Sequence, residues 1–189
     1  MAAYFQKFSW TPFVHAGITY DLSHLEEYAF TVTDTGAIER RIAVTFSDHC
    51  FTRAYRAEDG PAPFYPGSSR NPGVFCFERY RYSLDIAAHI ERAAGGKVWN
   101  AASDRDAFAI IPIIDHRGRE VLYAIVFSLD HVKGLPVDLH MRIETAYPCD
   151  KKPIETFGEV RFRHLVALRM QRKSAGRLTN QDRRRPRVP

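Results

Sequence analysis

Cysteine is scarce in this chain, and the little there is lies scattered. Cys50, Cys76 and Cys149 form no CxxC pair and are odd in number, which speaks against both a disulfide scaffold and a four-ligand zinc site. No apolar run approaches the roughly eighteen residues that span a bilayer. The opening stretch MAAYFQKFSW has no basic n-region and no long apolar core, so no secretory signal is expected. GxSxG, GxxxxGKS, HExxH and a GxGxxG leading into a helix are all missing, and with them the physical basis of serine-hydrolase, P-loop, zincin and Rossmann chemistry. No internal repeat is visible. These absences predict a cytoplasmic protein without membrane segment, metal or cofactor.

What is present describes a folded domain. Of 189 residues, 45% are hydrophobic and 13% aromatic, a globular composition of a length that buries a core without covalent staples. Charge is unevenly spread. Residues 1–150 hold 15 Lys/Arg against 19 Asp/Glu, whereas residues 151–189 hold 12 against 3. Such asymmetry is the footprint of an end that faces a polyanion, RNA or the ribosome first of all. A solubilising tail and an acidic protein partner are the other readings. The pattern predicts one globular domain over 1–173 and a basic, disordered tail over 174–189 that ends in RRRPRVP.

Along the chain, the first 25 residues mix aromatics with polar breaks and read as an irregular arm packed on the core. EEYAFTV and AIERRIAVTF flank Asp34-Thr35-Gly36 and predict a β-hairpin. The Pro/Gly/Ser-rich stretch 57–73 reads as a surface loop. SLDIAAHIERAAGG predicts a helix with Ser83 as N-cap and Gly95-Gly96 as its stop. DAFAIIPIID, REVLYAIVFSLD and VDLHMRIETAY predict an antiparallel meander. Its middle strand is apolar on both faces and so central. EVRFRHLVALRMQRK predicts a basic helix burying Phe162, Leu165, Val166 and Met170. The expected fold class is α+β: an antiparallel sheet of about five strands, from the hairpin and the meander, with two main helices.

Two stretches carry chemistry. In the last meander strand Val137, Leu139, Met141 and Ile143 alternate with Asp138, His140, Arg142 and Glu144, which sets His140, Arg142 and Glu144 on one face, roughly 7 Å apart in steps of two. An imidazole, a fixed cation and a carboxylate on one rigid strand suit metal-independent phosphodiester cleavage. Glu144 or a histidine would take the 2′-OH proton, Arg142 would stabilise the phosphorane, and a second histidine would protonate the leaving 5′-oxygen. The plain alternative is the solvated face of an antiparallel sheet. TFSDHC, residues 45–50, closes the hairpin's second strand and brings His49 to the same face if the two strands share a sheet. Cys50 reads there as a core thiol. FERYRYS offers Tyr80 between Arg79 and Arg81 as a base-stacking, phosphate-holding pair of types. A strand packing its aromatics on one face is the alternative. Arg161, Arg163, Arg169, Arg172 and Lys173 of the basic helix complete the candidate nucleic-acid surface.

VTFSDHCFTR, FCFERYRYS, RIETAYP and KPIETFGEVRFRHLVALRM resemble a poorly characterised bacterial family sometimes labelled stationary-phase growth adaptation protein. The resemblance runs from about Ile42 to Met170. The order of helix and then antiparallel meander is also loosely similar to the RelE/barnase-type toxin ribonucleases, an analogy of fold alone that transfers no residue. The reading from the residues is therefore a small RNA-directed protein, a toxin-type endoribonuclease that needs no metal. Its alternative is a non-enzymatic module binding nucleic acid, ribosome or a protein partner.

Overall fold

Two short strands, β1 (Phe13–His15) and β2 (Ile18–Tyr20), pair through a turn in which Ala16 and Gly17 both take positive φ (49° and 76°), as a two-residue hairpin loop demands. The computed structural model describes residues 3–59, 62–66, 73–100, 106–149 and 158–171. Strands β3 (Tyr28–Thr33) and β4 (Glu39–Phe46) form the expected hairpin. Asp34 closes it. Its carboxylate accepts the N–H of Gly36 (2.7 Å) and Ile38 (3.1 Å) and the Nε–H of Arg40 (3.0 Å). Strands β5 (Thr52–Arg53) and β6 (Val74–Phe75) then form a minimal second pair.

Helix α1 (Phe77–Ser83) occupies the FERYRYS stretch, so its residues follow a helical period and do not alternate between two faces. Ser83 does not cap the next helix. It ends α1, donates its hydroxyl to the Tyr80 carbonyl (2.8 Å) and lies 2.8 Å from His24 Nε2. Asp85 precedes α2 (Ile86–Ala94) instead, and Gly95-Gly96 ends that helix as expected. Four strands follow: β7 (Lys97–Asn100), β8 (Asp106–Ile114), β9 (Glu120–His131) and β10 (Leu139–Cys149). The described chain closes with β11 (Glu159–Arg161) and α3 (Phe162–Met170).

Seven strands make the main sheet, in the order β11-β7-β8-β9-β10-β4-β3. The expectation of about five strands and two helices falls short by β7, β11 and α1. The hairpin also joins the meander differently from the all-antiparallel expectation: β4 runs parallel to β10, with His140 opposite Ala43 and Arg142 opposite Thr45. Period-two alternation says which face a residue takes and nothing about strand direction. Strand β9 does sit at the centre. Prolines stay where no ladder bond is lost, Pro112 beyond the reach of β7 and Pro148 beyond that of β4.

One face of the sheet carries the core. Ile42, Val44, Leu139, Met141, Ile143, Tyr123, Ile125 and Phe127 pack with Ile86 and Ile90 of α2 and with Phe162, Leu165 and Val166 of α3. Met170 is only partly buried against this core. The N-terminal arm is tied to the fold by two carboxylates. Glu27 accepts the N–H groups of Tyr4, Phe5 and Gln6, each at 2.8 Å, and Glu26 accepts those of Trp10 (3.1 Å) and the Gln6 amide (3.0 Å).

Candidate functional site

The opposite face of the sheet, where β4 and β10 lie side by side, holds the polar cluster. His140 and Arg142 project there because the intervening Leu139, Met141 and Ile143 are committed to the core. Between Ile143 and Thr145 the register against β9 slips by one residue, so Glu144 is the extra residue of a β-bulge. Ser47 ties the end of β4 to that bulge. Its N–H donates to the Ile143 carbonyl (2.9 Å) and its hydroxyl to the Glu144 carbonyl (2.6 Å). The same hydroxyl accepts the His49 N–H (3.1 Å) and so starts the single turn Asp48–Cys50. In this turn Cys50 is fully buried, while His49 stands exposed at the rim of the cluster.

The arm roofs the cluster. Phe5, Gln6 and Phe8 close a cleft of about 470 Å³ over Thr45, Ser47, Asp48, His49, His140, Arg142 and Glu144. The Phe5 ring lies flat on the His140 imidazole, with centroids 3.9 Å apart and planes within 4°. His140 Nε2 and Thr45 Oγ1 are 2.7 Å apart. Burial pushes the His140 imidazole below its ordinary range; Arg142 adds to that, and Glu27 and Asp130 oppose it. The ring is therefore neutral at neutral pH. Arg142 is exposed and keeps Glu144 at 3.4 Å from its Nε. Asp48 is only 4% exposed and its Oδ2 has no hydrogen-bond partner among the described residues. Burial pushes the Cys50 thiol up to about 12, far from a thiolate.

Arg79 stands behind the cleft. Its Nη1 donates to the carbonyls of His49 (3.0 Å) and Thr52 (2.9 Å) and reaches Thr145 Oγ1 at 3.4 Å, and its guanidinium sits 5.2 Å from the Tyr147 ring centroid. It fixes the His49 turn against β10. Tyr80 is half-buried against Tyr20 and Phe75, while Arg81 is exposed. Arg161 and Arg163 are exposed and line a second cleft at the sheet's edges. Arg169 is half-buried on α3, and Arg172, Lys173 and the 174–189 tail lie outside the described residues. The structure thus gathers His49, His140, Arg142 and Glu144 in one place and scatters the basic candidates over others.

Sequence reasoning passed over Phe5, Phe8, Thr45 and Asp48 as site residues. Only the density of aromatics before residue 14 hinted at a roof, since nothing in an irregular arm records where it folds back. Among the described residues no group of three or more His, Cys, Asp or Glu is placed to hold a metal ion, and no helix is long and apolar enough to cross a membrane.

Neither a curated protein nor a solved structure matches the chain. The likeness to RelE/barnase-type ribonucleases and the stationary-phase label therefore gain no support. The resemblance to a bacterial family holds at family level: the profile described as the YjaZ family matches residues 12–170, and the chain belongs to that family.

Proposed function

We propose that the cleft between β4, β10 and the N-terminal arm acts on RNA, by acid–base cleavage of a phosphodiester without a metal. The observation that carries this reading is the convergence of two imidazoles, a guanidinium and a carboxylate in one roofed cleft. His140, held neutral, is the base. With its proton on Nε2 toward Thr45, the other ring nitrogen takes the proton of a ribose 2′-OH. The 2′-oxygen then bonds to phosphorus while the bond to the 5′-oxygen breaks, and His49 at the rim protonates that leaving oxygen. Arg142, kept in place by Glu144, balances charge on the phosphorane. Glu144 serves better as this anchor than as the base, because its carboxylate is already engaged by Arg142 at 3.4 Å. Phe8, 49% exposed at the roof, offers a face on which a base can stack.

Purified protein incubated with end-labelled total RNA tests the reading. Cleavage is expected to persist in EDTA and to leave 2′,3′-cyclic phosphate ends. His140→Gln should lower the rate about 10²–10⁴-fold, the usual share of a general base, with little change in melting temperature. Absence of cleavage on every RNA, or undiminished cleavage by His140→Gln, would sink it. A binding module without turnover is the second reading, favoured by one feature: His140 and Arg142 are already partnered, by Thr45 and Glu144. RNA retained by the protein but never cut would establish that alternative.

A further inference from the structure

The two outer strands of the sheet, β3 and β11, border the same cleft. Its volume is about 480 Å³. One wall is Phe30, Thr31, Val32 and Thr33 of β3. The other is the end of α2 at Gly95-Gly96 together with Arg161 and Arg163. Four consecutive strand residues point alternately to two faces. All four border one cleft only if it runs along the strand's open edge.

That edge carries free backbone groups at strand spacing. Asp34 N–H donates to the Ile38 carbonyl at 2.9 Å, which makes 34 and 38 a bonded pair. By alternation Val32/Arg40 and Phe30/Ile42 are the bonded pairs with β4, and the N–H and C=O groups of Ala29, Thr31 and Thr33 face outward. Arg41, opposite Thr31, confirms the phase, because its N–H and carbonyl both go to Asp138 on the far side, each at 2.8 Å. Among the described residues no strand pairs with the outer edge of β3.

We infer that this edge is a docking site for an extended acidic segment of a partner protein, added as an eighth strand beside β3. The backbone of Ala29, Thr31 and Thr33 supplies the ladder. Phe30 and Val32, half-buried at the edge, receive apolar side chains of alternate peptide positions. Arg161 and Arg163, both exposed and without an ion pair among the described residues, receive carboxylates from the opposite wall. Nucleic acid fits less well: outward N–H and C=O groups in strict alternation match another strand's backbone, and a phosphate chain uses only the N–H half.

The test uses a synthetic peptide alternating Asp with Val, titrated into the full chain, with amide hydrogen exchange read residue by residue. The expected result is slowed exchange at Ala29, Thr31 and Thr33. Thr31→Pro removes one outward N–H and no bond to β4, and edge strands tolerate proline. It should abolish the protection, and so should Arg161→Glu with Arg163→Glu. A matching peptide with Lys for Asp should give none. Protection by the Lys peptide, protection that survives Thr31→Pro, displacement by single-stranded RNA, or protection that appears without peptide as the chain self-associates would each overturn the assignment.

Discussion

Cys50 shows how burial decides the chemistry of a single side chain. Its thiol is fully buried, sits under the cleft and is held far on the protonated side, so it is a packing group. Native protein should resist iodoacetamide at this position and react only on unfolding. Cys50→Ala should spare any activity while costing about 1–2 kcal/mol. Mass-spectrometric mapping of labelled cysteines in native and urea-treated samples checks both points. For His140, half-buried in the cleft, burial has the reverse consequence. Its folded-state affinity for protons is depressed, chiefly by burial, as are those of His24 and His89. In the pH range between the depressed values and the ordinary imidazole value near 6.5, the unfolded chain binds more protons than the folded one. Stability should therefore be full above that range and fall as pH drops through it. His140→Gln should flatten part of this slope in melts between neutral and mildly acidic pH. The ascending limb of the pH–rate profile, which reports neutral His140, should lie below the ordinary imidazole value.

At the scale of elements, alternation and turn chemistry were legible. The Asp34 hairpin, the meander, the stop at Gly95-Gly96 and the buried stripe of α3 all follow from residue pattern. Asp115 shows why the meander's turn was readable. Its carboxylate takes the backbone N–H of Arg119 and Arg117 and the guanidinium of Arg119, and the first of these leads in holding it down to about 2. What alternation could not supply was strand direction or the bulge at Glu144, since both depend on a partner strand distant in sequence. FERYRYS failed for a different reason: seven residues of mixed aromatic and Arg character satisfy either period, and packing of Tyr82 and Ser83 into the core decides for helix. Arg79 pins α1 to the His49 turn and β10. Arg79→Met leaves two carbonyls without their donor and should cost about 1–3 kcal/mol. It should also lower activity by letting His49 drift, and a melting curve beside an activity assay would measure both effects. Unchanged melting would show that the pin is not needed.

For the whole molecule, the sequence told what kind of side chains the site has but not that the arm covers them. The arm's position rests on Glu26 and Glu27, whose carboxylates bind backbone N–H groups that any sequence would offer. The charge split also acts at this scale. If residues 151–189 meet a polyanion, RNA affinity should fall steeply with salt, and removing residues 174–189 should flatten the dependence of log affinity on log salt. Filter binding across a salt series reads the slope directly, and an affinity indifferent to salt would exclude that role. The parallel pairing of β4 with β10 has a consequence for biosynthesis. Thr45 and His140, in hydrogen-bond contact in the folded chain, are 95 residues apart in sequence. At ribosomal speed that gap takes roughly 5–20 s to synthesise. For that interval the nascent hairpin carries a bare β4 edge and only half a cleft, so a chaperone has an edge to shield. The cleft itself is complete only once β10 has left the exit tunnel.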